Sequence, residues 1–405
     1  PTLVDLFDLS TKNDLDGMSL RSSLEKGVEP ENKDIFSVYC GNHQYGDMRR
    51  MIVSGSYKYI YDNQDEELYD LQADPWEQKN LCLNADYKEK ASEMYQKLEN
   101  WAKKQKDAFF KPKKKKNLLF VFADQWRRDA MGFAKADPVK TPNMDAFASE
   151  SVYCTDAIST FPLCSPHRAS LLTGKNPLHT GVFTNCKTGL AMGLKEEEYC
   201  IGDVLKDCGY QTGYIGKWHL DEPDLNHSEK PESGARNWDA FTPPGVRRHG
   251  FDFYSYGAWD QHMSPHYWKD TPEQIQIHDW SPRHETDVAL EYIDNHAGKD
   301  PFALFISWNP PHSPYDLVPK EYLDLYPDDV VLKENVDLTN IHHHTYEPVG
   351  YSKEELMKVT KEYYAAVSGL DDQFGRLIAR LKELGIYDDT IIVLSADHGD
   401  MMGSH

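Results

Sequence analysis

Four short apolar runs, each ending on a side chain that can carry charge or a proton, constrain the fold of this chain most. Leu118-Leu119-Phe120-Val121-Phe122-Ala123 leads into Asp124-Gln125, and Gly213-Tyr214-Ile215-Gly216 into Lys217-Trp218-His219. Leu304-Phe305-Ile306-Ser307-Trp308-Asn309-Pro310-Pro311 leads into His312, and Ile391-Ile392-Val393-Leu394-Ser395-Ala396 into Asp397-His398-Gly399. Runs without polar alternation read as strands buried on both faces, the pattern of parallel sheets. Helical spacing fills the intervals: Pro142 to Glu150, Ser165 to Leu172, Ile201 to Cys208 closed by Gly209, and Glu285 to His296. From Ser352 to Leu384 the apolar residues Leu356, Val359, Tyr363, Val367, Leu370, Phe374, Leu377 and Leu381 step by three or four, one continuous buried stripe. The expected fold is α/β, with a mostly parallel central sheet flanked by helices.

The first hundred residues read differently. Arg49 to Tyr61 is rich in β-branched and aromatic residues around Gly55, a hairpin pattern, and residues 86–106 return to helical spacing at Tyr87, Ala91, Met94, Leu98 and Trp101. A small antiparallel sheet carrying a helix follows. Eight lysines then fall between Trp101 and Lys116, with Pro112 among them; such a stretch builds no core and reads as a linker. At about 150 residues per domain, the 405 residues divide into 29–110 as the small subdomain, 111–116 as the junction and 117–405 as the large domain. A net charge of −22 argues against a nucleic-acid partner, which needs a basic face. No run of eighteen apolar residues is present, so no membrane span is expected. Residue 1 is Pro and no leader follows; the expectation is a soluble protein of bacterial cytoplasm or periplasm. The seven cysteines contain no C-x-x-C pair, and most read as small buried hydrophobes.

In parallel sheets ligands bind beyond the carboxyl ends of the strands. One polar residue there is commonly a turn former; four strands delivering Asp, Gln, Lys and His to one edge need pairing or a metal. Asp124, Gln125, Asp397 and His398 offer mainly oxygen, which favours Mg2+, Mn2+ or Ca2+ over zinc. Imidazole is unusual around Ca2+, so His398 is open between ligand and substrate contact. Cys164 opens a further segment, Cys164-Ser165-Pro166-His167-Arg168, followed by Leu171-Leu172-Thr173-Gly174. A side chain at a helix start faces unpaired N–H groups, a setting for a nucleophile rather than a structural thiol, and Arg168 follows one turn on.

That segment resembles the signature of the type I, formylglycine-dependent sulfatases of the alkaline phosphatase superfamily. Phe122-Ala123-Asp124-Gln125, Gly216-Lys217-Trp218-His219, Pro311-His312-Ser313-Pro314-Tyr315 and Asp397-His398-Gly399 match in the family's order, and Glu67-Leu68-Tyr69-Asp70-Leu71-Gln72-Ala73-Asp74-Pro75 resembles its C-terminal subdomain. The resemblance implies an alkaline phosphatase-like fold and a sulfuric ester hydrolase. It also implies a divalent cation, Ca2+ first with Mg2+ or Mn2+ as alternatives, and a formylglycine made from Cys164 by a maturation enzyme, whose hydrate attacks the sulfur of a sulfate ester. Lys217 would then neutralise sulfate oxygens, Arg168 and His219 orient the diol, and His312 protonate the leaving alcohol near neutral pH. Gln125 stands where many members carry a second Asp, and His167 where a small residue is common. The order of segments is rotated: the stretch resembling residues 1–107 comes last in the family, which implies that residues 1–28 belong to the large domain, and the family's lysine shortly after the position of His405 is missing here. A permuted gene and a numbering that joins pieces out of order both fit this, and the second is favoured because losing that lysine would be costly.

From Arg247 to His262 the chain is dense in Arg, His and aromatic residues. Aromatics stack on sugars and Arg pairs with sulfate, so Arg247, Arg248, His249 and His262 are the expected contacts to a sulfated carbohydrate; the competing reading is core under a long loop. His342-His343-His344 reads as an exposed polar loop ahead of a metal site. A phosphonate or phosphodiester hydrolase of the same superfamily and a non-catalytic sulfoglycan-binding relative are the alternatives.

Overall fold

The computed structural model describes all residues except 12–17, 29–33, 40–47, 63–64, 109, 111–114, 224–239, 258–261, 337–350 and 405. The His342-His343-His344 run and the residues 259–261 lie outside the described residues. Two compact units are present, Pro1–Lys114 and Lys115–His405. Residues 1–28, assigned above to the large domain, lie within the first of them.

In the first unit, β1 (Ile35–Tyr39), β2 (Arg49–Ser54), β3 (Tyr57–Tyr61) and β4 (Glu66–Asp70) form an antiparallel sheet in sequence order. Gly55 takes φ +60° in the two-residue turn between β2 and β3, the left-handed backbone such hairpins require. The helix Lys88–Lys104 buries Ala91, Met94, Leu98 and Ala102, and the first three share a core with Ile52, Tyr59, Tyr61 and Leu68.

The second unit is built on a sheet of β5 (Asn117–Asp124), β6 (Gln211–Gly216), β7 (Phe253–Gly257), β8 (His266–Trp268), β9 (Ile275–Gln276), β10 (Phe302–Pro311) and β11 (Thr390–Ala396). Their order is β11-β5-β10-β6-β7-β8-β9. The first five run parallel; β8 and β9 are antiparallel. All ten residues of β10 are buried, as its unbroken apolar run requires. The helix Lys353–Glu383 opens on a reciprocal cap, Ser352 Oγ accepting from Glu355 N at 3.2 Å and Glu355 Oε2 from Ser352 N at 2.8 Å. Its stripe from Leu356 through Leu381 is buried, apart from a half-buried Val359. Among the described residues no helix is long and apolar enough to cross a membrane.

Strands β7 to β9 favour the core reading of the aromatic run over the substrate-loop reading: Phe251 and Tyr254, together with Trp268, pack into the core formed with Tyr214, Trp218 and Phe305. Aromatic density does not distinguish a stacking platform from a sheet's edge packing.

Candidate functional site

The register aligns four strand ends. Ala396 pairs with Ala123, Pro311 with Asp124, and Ser307 with both Phe122 and Gly216. Asp124, Lys217, His312 and Asp397 therefore emerge along one edge of neighbouring strands. Gly216 makes the exit of β6: at φ +97° a Cβ would stand 2.1 Å from Ser307 O, so no other residue fits there. Gln125, the residue after Asp124, is left-handed at φ +59°, a conformation costing a non-glycine residue about 1–3 kcal/mol. It is held by its N–H to Asp397 Oδ1 at 3.1 Å and its C=O, which accepts from Tyr363 Oη at 2.7 Å.

Cys164 begins the helix Cys164–Thr173 and is 2% exposed. The first turn is tied down from outside the helix: Ser165 N donates to Asn185 Oδ1 at 3.1 Å, and Ser165 Oγ to His219 O at 2.7 Å. Cys164 Sγ lies 3.3 Å from His398 Nε2, 3.5 Å from Asp124 Oδ1 and 3.7 Å from Lys217 Nζ. Ligating atoms of Asp124, Cys164, Asp397 and His398 all fall within 4.8 Å of one another. The cluster predicted from strand ends and the cysteine predicted from a helix start are one site.

Its electrostatics are those of a cation holder. Arg168, 1% exposed, forks onto Asp124 Oδ2 and Asp397 Oδ2 at 3.0 Å each, while its other terminal nitrogen donates to Ser307 Oγ at 2.6 Å and Lys217 O at 2.7 Å. Lys217 Nζ also contacts Asp124 Oδ2. The outer oxygens of both carboxylates are thus neutralised, and Asp124 Oδ1 faces Cys164 and His398. Burial alone would raise the Asp124 carboxyl, but Lys217, His312, Arg168 and His398 hold it well below the usual range. Burial likewise opposes charge on His398, yet Asp397, then Cys164 and Asp124, lift it to about 11. Carboxylates that draw a proton onto a nearby buried imidazole mark a position built for positive charge, which fits a divalent ion with an oxygen-rich donor set.

Three imidazoles near the cluster, His219, His312 and His262, are held toward the neutral form. His219 donates from Nε2 to Cys186 O at 3.0 Å and is kept well below its ordinary value by burial, then Lys217 and Arg168. His312 donates from Nδ1 to Ser313 O at 2.6 Å, and burial followed by Lys217 pushes it down to about 3. The expectation of a group titrating near neutrality at His312 differs from this, because burial and Lys217 outweigh Asp124, which favours the charged ring. His262, pushed to about 4 chiefly by burial, donates from Nε2 to His312 O at 2.9 Å; it braces the His312 loop from behind.

The 247–249 turn is committed to the protein itself. Arg248, 2% exposed, bonds Thr242 O, Lys269 O and Asp270 Oδ1 and lies over the Tyr254 ring. Arg247 pairs with Asp221 Oδ1 at 2.5 Å, and His249 contacts Glu198 O through Nδ1 at 3.1 Å. The residues that sequence reasoning missed are Ser307, which receives Arg168, and Asp400, discussed below; each lies inside or next to a quoted motif, but nothing in its spacing betrays a buried partner. A cavity of about 970 Å3 adjoins the cluster and reaches His167, Asp397 and His398.

Residues 116–405 match the sulfatase family model, and residues 1–104 match the model of the N-sulphoglucosamine sulphohydrolase C-terminal region. The chain is 38% identical over 316 residues to an endo-4-O-sulfatase of Bacteroides thetaiotaomicron, covering 71% of this chain and 59% of that protein. It is 38% identical over 295 residues to an ulvan-active sulfatase of Formosa agariphila, covering 72% and 52%. The crystal structure of yidJ, a Bacteroides fragilis protein described as a sulfatase, superposes with a TM-score of 0.65 at 37% identity, covering 73% of this chain and 65% of that one. The chain thus spans less than two thirds of the length of these relatives.

Proposed function

The chain belongs to the sulfatase family, and from that premise we propose that it hydrolyses sulfate esters of carbohydrates. The observation that carries the reading is the placement of Cys164 Sγ between His398, Asp124 and Lys217 at the shared edge of four strands. The carbohydrate class is supported by the names of two relatives, an endo-4-O-sulfatase and an ulvan-active sulfatase.

A divalent cation, Ca2+ before Mg2+ or Mn2+, would be held by Asp124, Gln125, Asp397 and His398 and would supply charge facing the sulfate oxygens. Formylglycine at position 164, made by a maturation enzyme, would supply the nucleophilic hydroxyl. The chain's own residues do the rest. Lys217, 3.7 Å from Sγ, binds a sulfate oxygen and favours an ionised nucleophile. Arg168 fixes both carboxylates in place. His219 presents a neutral ring, the state a base needs to take the proton that releases sulfate. His312 starts neutral; an incoming sulfate favours its protonated form, and it then donates to the leaving alcohol. Arg247, the least buried of the three residues in the 247–249 turn, would have to give up Asp221 to reach a glycan.

The test co-expresses the full chain with a formylglycine-generating enzyme and assays defined sulfated mono- and disaccharides with and without CaCl2. Intact mass reports the state of Cys164. Sulfate release that requires conversion supports the reading. Equal release with Cys164 still a thiol would defeat the nucleophile, and faster turnover of matched phosphonate or phosphate diesters would replace the substrate class.

A further inference from the structure

Gln125 is the one proposed cation ligand whose useful atom depends on which way its side chain faces. An amide offers oxygen from one end and two hydrogens from the other, and only the oxygen ligates a hard cation. The amide nitrogen has two partners: Nε2 donates to Asp400 Oδ2 and, at 3.0 Å, to Tyr315 Oη. Tyr315 Oη in turn donates to the same Asp400 oxygen at 3.0 Å. The three groups close a ring in which every hydrogen is used. Asp400 cannot swing away, because its Oδ1 accepts the N–H of Met402 at 2.6 Å. Both Asp400 and Tyr315 are buried, at 9% exposure, and no described residue donates to Gln125 Oε1.

We infer that Asp400 is a positioning residue for the cation site: acting through Gln125, it dictates that the amide turns its nitrogen away and leaves its oxygen for the ion. This rests on the cation reading above. Asp400 accepts from Gln125 Nε2, Tyr315 Oη and Met402 N, so the reversed amide would set its oxygen against the Asp400 oxygens and lose both donors. The main chain removes the other freedom, since the left-handed Gln125 is clamped by Asp397 and Tyr363. The pairing also accounts for an amide at 125: a carboxylate there would confront Asp400 as a like charge. Gln125 and Asp400 are a matched pair, one supplying the ligand and the other its polarity.

The experiment is calorimetric titration of the full chain with CaCl2, MgCl2 and MnCl2 separately, so that the readout is affinity and not turnover. Asp400→Asn can donate to Gln125 Oε1 and should weaken binding about 10- to 100-fold, the usual loss when a ligand's orienting partner is removed. Gln125→Glu combined with Asp400→Asn reverses the donor and acceptor and should return affinity to the wild-type level or above, which a packing role would not do. Wild-type affinity in Asp400→Asn overturns the inference and leaves the cation reading standing. Equal weakness in the single and double variants overturns it too, in favour of packing. If the wild-type chain takes up none of the three ions, the cation reading falls and the inference with it. Should Asp400→Asn not fold, as judged by its ion-free Tm, Tyr315→Phe opens the same ring; it should weaken binding several-fold, and unchanged affinity overturns the inference.

Discussion

Arg168 offers the sharpest test of how the site is held together. In Arg168→Met, a side chain of similar reach, five hydrogen bonds disappear, two of them to carboxylates at 3.0 Å. Removing one member of a buried ion pair costs about 3–5 kcal/mol, because the partner stays buried and charged. The partners here are unequal. Asp124 keeps Lys217, whereas the Asp397 carboxylate retains, among the described residues, the N–H groups of Gln125 and His398 and the imidazole of His398. The loss should therefore lie near the lower end, about 3 kcal/mol in ion-free buffer. At roughly 2–4 °C per kcal/mol for a unit of this size, Tm falls by roughly 6–12 °C. The pH dependence separates charge from packing. A carboxylate whose folded pKa is depressed, as at Asp124, contributes stability above its unfolded value near about pH 4; that contribution is lost as pH falls through the folded value. The variant surrenders it in advance, so its deficit should be full at pH 7 and shrink as pH drops below about 4. Denaturant unfolding at a series of pH values reads this directly. A deficit that stays constant with pH would show that Arg168 merely fills space, and the electrostatic account of the cluster would be wrong.

Other outcomes are equally open to measurement. Glu285 is buried in the helix Ser281–His296, its Oε2 has no hydrogen-bond partner, and burial holds its carboxyl well above the usual range. The folded state therefore binds the extra proton, so stability should fall as pH rises from the unfolded value toward the folded one, by up to about 1.4 kcal/mol per pH unit; Glu285→Gln should flatten that slope, and an unaltered slope would reject the assignment. His312→Gln should lower kcat about 10²- to 10⁴-fold on sugar sulfates and far less on an aryl sulfate whose leaving group needs no proton; an equal loss on both would remove His312 as the acid. Leu370→Ala, emptying a fully buried position on the long helix, should cost about 2–5 kcal/mol in urea unfolding, and a loss under about 1 kcal/mol would contradict its place in the core.

What the sequence discloses and what it hides follow from the range of the forces involved. Strand ends at Asp124, Lys217, His312 and Asp397 are legible because an apolar run and the polar residue that stops it are adjacent along the chain. The long helix is legible because thirty residues of three-four periodicity average out local noise. Arg247 and Arg248 look like free cations in a list of residues, and only the fold shows Asp221, Asp270 and two carbonyls taking them up. Asp400 hides for the complementary reason: it sits three residues past Asp397 and looks like another turn carboxylate, while its partners Gln125 and Tyr315 are 275 and 85 residues away. Strands β7 to β9 are short, and their aromatics satisfy a sheet as well as a sugar.

The overall charge of −22 and an anionic substrate are reconciled at the cluster itself. Arg168 and Lys217 pair with Asp124 and Asp397, and His398 beside them is held toward its charged form. A divalent ion held there would supply further positive charge. The surface acids act through water, where fields between exposed charges fade over about 8–10 Å at ordinary ionic strength. The buried cations act through protein, where the same charges interact several times more strongly. Under the proposed function, a sulfate ester would therefore be repelled weakly and from a distance, and held strongly at the strand ends.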